Sequence, residues 1–407
     1  MTCHPVHVAE LLPFRALRPE PKLVASMIAP PYDVMNLDEV RRWRASHPAN
    51  ITHVDVALPE DGGDPYNTLA RRVSDWITSG TLRRDGEPSL TIHRMSFIDA
   101  AGTARTISGV IGALEVTEGS AVLAHERTTP KASTDRYDLT VATEMNLSPV
   151  WGLALGAGLT EVLRESGREA HIAAMPDSAA GSVTHRWEVV DDPTRIMAIQ
   201  EVIARDDVLI ADGHHRYGVA RRVAEDHGSR LPGARHTLAF VSDLTEDQLS
   251  VAAIHRVYGG IDAADLRRCL ESGYRLIDGG VLDTARGAAS LPSAIAERGQ
   301  PCLIGPDGSL TWLELDGDTL ALVRDLDGAR LEHLLADIDH EVQYLHDPVE
   351  AAEQVMNGRC SSAVLIRPVG ISEITRTGRT GELMPPKSTF FSPKLPTGAV
   401  LRQLDGH

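Results

Sequence analysis

Apolar positions along this chain recur with two spacings. In PYNTLARRVSDWITSG (65–80), Leu69, Val73, Trp76 and Ile77 fall every three or four residues and Gly80 follows. That spacing predicts an amphipathic helix with a glycine stop. In 89–116, two runs rich in alternating apolar residues flank Ala-Ala-Gly, which predicts a hairpin. ITHVDVAL (51–58) also reads as a strand. Further on, DPTRIMAIQEVIAR reads as a helix, DVLIA as a strand, HHRYGVARRVAEDHG as a helix and HTLAFVSDL as a strand. The alternation predicts a mixed α/β (α+β) fold, and the hairpins exclude a purely parallel sheet. After about residue 258 Gly and Asp become frequent, as in smaller α+β units. There DPVEAAEQVMNG predicts a helix and SSAVLIRPV a strand. The expected division is an α/β core region over 1–250 and an α+β region over 251–407.

Charge narrows the partners. The 57 acidic residues exceed the 40 Lys and Arg, giving a net charge of −17. Neutralising a nucleic-acid backbone needs a basic stripe, and the basic residues here cluster only in pairs such as Arg41-Arg42. Nucleic acid is therefore not expected as a partner. No apolar run approaches the ~20 residues of a membrane span, so no membrane is expected either. The four cysteines are far apart, without a C-x-x-C pair, and the N-terminal residues lack a signal-peptide pattern. A reduced, cytoplasmic protein is expected, and a homo-oligomer is compatible with the chain.

Four stretches carry chemistry. In IADGHHRYGVA (210–220), an apolar run meets Asp212, Gly213, His214, His215 and Arg216 before a second apolar periodicity. This reads as a strand–turn–helix junction with Asp212 as N-cap. Its free helix N–H groups and the Arg216 fork suit a phosphate. Adjacent helical residues point about 100° apart, which disfavours one metal held by both histidines. The competing reading is an ordinary turn with surface histidines. In 122–153, His125, Glu126 and Arg127 follow an apolar segment, and TTPKAST reads as a loop. A helix is expected over 135–146, with Lys131, Asp135 and Arg136 at its start, able to bind phosphate and metal together or simply to cap the helix. In APPYDV (29–34) two prolines stiffen a turn that presents Tyr32 and Asp33. GELMPPKSTFFSPKLPTG (381–398) holds four prolines, Phe390 and Phe391, and two lysines seven apart, Lys387 and Lys394. It reads as a stiff loop offering point charges to phosphates, or as a packing segment.

These stretches, in this order, resemble the bacterial and archaeal family DUF1015. Its marks are a P-P-Y-D-V turn, H-E-[KR]-T leading to D-R and N-L-S-P, A-D-G-H-H-R-Y, and M-P-P-K-S-T-x-F-x-P-K. They stand here at Pro30 to Val34, His125 to Thr128 with Asp135-Arg136 and Asn146 to Pro149, Ala211 to Tyr217, and Met384 to Lys394. After Tyr217 the family usually carries Glu-Thr, whereas this chain has Gly218-Val219. The D-G-H-H-R element is similar to one in free-serine kinases with the ParB/sulfiredoxin-like fold. That resemblance implies a nucleotide-binding core with an additional smaller α+β region, whose C-terminal Lys-bearing loop packs back on the core.

The implied activity is a small-molecule kinase. It would transfer phosphate from ATP or ADP, with Mg²⁺, to a hydroxyl of an amino acid or hydroxy acid such as free serine. Phosphoryl transfer needs positioning and charge neutralisation more than covalent chemistry, and the motifs supply both. Expected donor-binding residues are Asp212, Gly213, His214, His215 and Arg216, with Lys131, Arg136, Lys387 and Lys394. Glu126, Asp33 and His125 are the expected catalytic residues, and Asp212 and Asp135 the metal carboxylates. Two other readings stand beside it: a nucleotide-binding sensor or switch without turnover, and a metal-dependent phosphohydrolase.

Overall fold

The computed structural model describes residues 8–99, 102–123, 130–177, 180–317, 319–382, 384–385 and 387–406, with side chains for all of these except 130–133 and 169. Of the described residues, those within Met1–Ser250, Gly378–Glu382 and Ser392–His407 form one compact unit. Those within Val251–Thr377 and Leu383–Phe391 form the other.

The first unit is built on a nine-stranded mixed sheet. Its strands are β1 (Leu11–Leu12), β2 (Leu90–Ile98), β3 (Ala104–Glu115), β4 (Val122–Leu123), β5 (Val150–Ala154), β6 (Arg168–Asp177), β7 (Gly181–Val190), β8 (Val208–Asp212) and β9 (His236–Asp243). The order is β4-β8-β5-β9-β3-β2-β7-β6, with β1 on β3. The β2–β3 hairpin is antiparallel, with Ile92 opposite Val110, as the alternation predicts. Only the β4–β8 and β5–β9 pairs are parallel, so the sheet is mixed rather than doubly wound. Helices α1 (Leu37–Ser46), α2 (Pro65–Thr78), α3 (Pro130–Thr143), α4 (Pro193–Ile203) and α5 (His214–His227) belong to this unit. Asp64 caps α2 by accepting from the Asn67 N–H, and Leu69, Val73 and Trp76 face inward. Ile199, Val202 and Ile203 of α4 and Tyr217 and Ala220 of α5 share one apolar core with Leu90, Ile92, Val110 and Val208 of the sheet. Burying each such side chain contributes roughly 1.5–3 kcal/mol, and this anchors the start of α5 at the end of β8.

Two expectations are corrected here. Residues 51–58 contain a short helix, Thr52–Asp55, rather than a strand. The cause is Asn50, whose side-chain oxygen accepts from both the backbone N–H (3.1 Å) and hydroxyl (2.7 Å) of Thr52 and starts a turn. The second correction is α3, described over Pro130–Thr143, so Lys131 lies within a helix and not in a loop. No glycine or further proline interrupts 131–143. Met145–Asn146 then leaves the helix and pairs with Arg402–Gln403 as a short strand.

The second unit holds a six-stranded sheet. Its strands are β10 (His255–Gly259), β11 (Tyr274–Val281), β12 (Cys302–Ile304), β13 (Ser309–Leu315), β14 (Glu341–Leu345) and β15 (Ser362–Leu365), in the order β11-β13-β12-β15-β10-β14. Every pair in it is antiparallel. Helices α6 (Ala263–Glu271), α7 (Leu291–Arg298), α8 (Asp327–Leu334) and α9 (Pro348–Met356) belong to it. The chain as a whole is mixed α/β. Among the described residues no helix is long and apolar enough to cross a membrane.

Candidate functional site

Strand β8 is fully buried up to Ala211 and ends on Asp212. Its pairing with β5 shifts register between Ile210 and Asp212, which re-aims the last side chain. Gly213, at φ +86°, then starts α5. The N-cap is therefore Gly213 and not Asp212, whose carboxylate is engaged elsewhere. One oxygen lies 2.7 Å from Arg216 Nη2, the other 2.8 Å from Lys394 Nζ. Both cationic side chains are under a tenth exposed. Burial pushes the Asp212 carboxyl up, but Lys394 and Arg216 outweigh it and hold the group well below the ordinary carboxylate range. The first turn of α5 carries backbone N–H groups without intrahelical acceptors, at the positive end of the helix dipole.

Arg216 ties three stretches together. Its Nη1 donates to the Pro149 carbonyl, and Asp33 of the Tyr32–Val34 turn lies 3.8 Å from Nη2. Arg136 is the second buried guanidinium. It donates to Asp55 Oδ1 at 3.0 Å and to Asp135 Oδ2 at 2.7 Å, and it lies over the Tyr32 ring, 4.1 Å from the centroid. Asp135 also accepts from the Tyr66 hydroxyl at 2.8 Å. Burial pushes the Tyr32 hydroxyl up to about 12. It likewise raises the Asp55 carboxyl despite Arg136. Asp55 Oδ2 and Arg216 Nε meet no hydrogen-bond partner among the described residues. Both residues line a small cavity of about 40 Å³, room for a water or two.

A larger cavity, about 340 Å³, adjoins this network. Pro30, Val34, Met35 and Trp43 give apolar walls, and Glu39, Arg42, Asp177 and Lys394 add charged groups. Asp177 accepts from the Lys394 backbone N–H at 2.8 Å and fixes that residue in place. Lys394 therefore lines the cavity while its ammonium touches the residue that precedes the α5 turn.

The structure thus brings Asp33, Asp212, Gly213, Arg216 and Lys394 together, with Arg136 and Asp135 in a network joined to them through Tyr32. His214 and His215 open α5, half-buried. Lys131 is in α3. Lys387 belongs to the second unit, at φ +59°. His125 and Glu126 lie outside the described residues. Asp212 and Asp135, expected as metal carboxylates, do not fit that role directly. Asp212 gives one oxygen to each of two cations, and Asp135 is divided between Tyr66 and Arg136. Among the described residues no group of three or more His, Cys, Asp or Glu is placed to hold a metal. Asp55, Tyr66 and Asp177 were not singled out in the sequence. Trp43 was available as one of only five tryptophans in an aromatic-poor chain.

Several solved structures are similar to this chain at low identity. A point mutant of a free serine kinase, in complex with ADP, is 15% identical with a TM-score of 0.40, covering 72% of this chain and 91% of its own. A conserved hypothetical protein from Pyrococcus furiosus is 15% identical at 0.40, covering 73% and 96%. SbnI with a C-terminal truncation, from Staphylococcus aureus, is 12% identical at 0.39, covering 70% and 85%. No curated protein matches the chain. Residues 11–344 match the family described as "Protein of unknown function (DUF1015)". That match spans most of the chain and three of the four motifs gathered above, and the chain belongs to the DUF1015 family.

Proposed function

We propose that the protein is a small-molecule kinase that moves phosphate from ATP or ADP to a hydroxyl of an amino acid or hydroxy acid, free serine first among them. The observation that carries this reading is the double engagement of Lys394. It lines the 340 Å³ cavity, and its ammonium holds Asp212, the residue before Gly213 and the start of α5. The cavity's size is within the range of small-ligand pockets, roughly 300–1,000 Å³. Its apolar walls suit a base, and Lys394 and the first-turn N–H groups suit the phosphates beyond it. Arg216 sets the angle of the turn by holding Asp212 and Pro149. Asp33, about a third exposed beside Arg216, would accept a proton from an acceptor hydroxyl. Glu126 is the other candidate for that proton, on its residue type alone. Mg²⁺ would enter chiefly on the nucleotide's own phosphates, since Asp212 and Asp135 are already engaged.

In this reading the cations are neutralised before any ligand arrives. An incoming phosphate competes with the Asp212 carboxylate for Lys394, which makes Lys394 the group that changes partner. Purified protein with Mg²⁺ and ATP or ADP is expected to phosphorylate at least one member of an amino-acid and hydroxy-acid panel, read by mass spectrometry. Nucleotide is expected to raise Tm, and Lys394→Met to abolish that rise. Stabilisation by nucleotide without any product would leave the sensor reading in its place. No stabilisation by any nucleotide would remove both.

A further inference from the structure

Asp55 belongs to none of the four motifs, yet it stands between the two motif arginines of the first unit. It ends the short helix Thr52–Asp55 and is 1% exposed. Its Oδ1 accepts from Arg136 Nη1 at 3.0 Å. Its Oδ2 meets no hydrogen-bond partner among the described residues, and the same holds for Nε of Arg216, which is 8% exposed. The other two nitrogens of Arg216 are engaged, Nη1 by the Pro149 carbonyl and Nη2 by Asp212. One acceptor and one donor are therefore left over, on two buried residues that line the same cavity of about 40 Å³.

That pairing defines the occupant. Burying either atom without a partner is unfavourable. A carboxylate oxygen accepts and a guanidinium N–H donates, and no direct bond joins the two. The group that satisfies both must donate to Asp55 and accept from Arg216. A cation is disfavoured by the two guanidiniums on the wall, and an anion by the carboxylate. The volume suits a water or two, and Asn146, Ser148 and Thr237 on the same wall offer the further bonds a buried water makes. Such a bridge acts on the neighbouring turn. Arg216 holds Asp212, and Asp212 holds Lys394. The guanidinium is a rigid plane, so fixing Nε along with both Nη atoms leaves it one orientation.

We propose that Asp55 is a positioning residue for the β8–α5 turn, orienting Arg136 directly and Arg216 through one buried water. The inference rests on the preceding reading only in taking that turn as the phosphate end of the site.

The test uses the full chain with nitrogen-labelled arginine. The Arg216 Nε–H resonance is assigned by its loss in Arg216→Lys. It is expected to show a cross-peak to a long-lived water. Asp55→Leu should lose that cross-peak. Asp55→Asn, which keeps an oxygen for Arg136 and a polar amide toward the water, should retain it. Val219→Ile adds a methylene at the cavity wall and should lose the cross-peak with Asp55 and both arginines intact, so it decides the matter if Asp55→Leu does not fold. The second readout is Tm against ADP concentration. Asp55→Leu and Val219→Ile should each raise the half-saturating concentration about tenfold, in line with one lost hydrogen bond to a charged group, and Asp55→Asn should stay close to the parent. No water cross-peak in the parent, or one that survives Val219→Ile, overturns the inference. A lowered Tm with an unchanged half-saturating concentration would make Asp55 a stabilising residue only and overturns it as well. A parent that no nucleotide stabilises removes the kinase reading instead, and the cross-peak still decides the bridge.

Discussion

At the scale of single residues, the site is governed by carboxylates that hold cations rather than by free cations. Asp212 shows the consequence. Asp212→Asn would leave Lys394 and Arg216 charged, buried and short of a counter-charge. Breaking a buried pair from one side costs about 3 kcal/mol or more. Unfolding in urea should show that loss, and adding Lys394→Met to Asp212→Asn should recover on the order of 1 kcal/mol of it. The buried histidines give a pH prediction of known sign. Burial pushes His171 and His185 down to about 4 from an ordinary 6.5. Between those values the unfolded chain binds more protons than the folded one, so stability is complete above 6.5 and falls as pH drops toward 4. His185→Gln should flatten the dependence of the urea midpoint on pH in that window; an unchanged slope would refute the assignment. The motif arginines, Asp33, Asp212 and Lys394 were legible in the sequence because rare polar types stood at predicted turns. Their pairing was not legible. Asp55 reaches Arg136 across 81 positions of chain, and no local pattern marks such a partner.

Elements with a clean period match the sequence reading, and those set by a single side chain do not. Helix α2, the β2–β3 hairpin and the β8–turn–α5 junction follow from spacing and turn residues. The helix Thr52–Asp55 escaped because one buried Asn50 side chain outvoted the alternation of ITHVDVAL. The N-cap of α5 escaped because a left-handed glycine replaced the expected aspartate, and this freed Asp212 to bind two cations. Gly213 is thereby the most constrained position in the junction. Gly213→Ala must adopt φ near +86°, and its Cβ would stand 2.9 Å from Arg216 Nε. The left-handed backbone alone costs about 1–2 kcal/mol, and displacement of Arg216 adds to it. The expected outcome is a loss of at least that size in urea unfolding, together with weakened nucleotide stabilisation. Gly218 is the opposite case. It is exposed, and a Cβ there meets nothing within 4 Å. The Glu that relatives are expected to carry there would point into open space, so Gly218→Glu should fold as well as the parent.

At the scale of the whole chain, the C-terminal residues are part of the first unit's interior and not a tail. Residues 392–402 are buried without interruption. Leu401 exchanges backbone hydrogen bonds with Leu17 in both directions, and Thr397 does so with Ala29. Arg402 donates to the carbonyls of Gly233 and His236, and Lys394 closes onto Asp212. These contacts join residues far apart in sequence, so the longest-range pairings of this unit reach from Leu17 to Leu401. Removal of 392–407 would uncover Met27, Ile51 and Leu69, which share an apolar core with Leu401, and would leave Asp212 with one cation in place of two. The truncated chain should therefore lose cooperative unfolding of the first unit by circular dichroism, while fragments of the second unit survive limited proteolysis. A peptide spanning 392–407, added in excess, should restore part of the cooperativity, because the covered surface is preformed by the sheet and by α2. A truncated chain that unfolds cooperatively with an unchanged midpoint would show that this segment only rests on the unit and does not complete it.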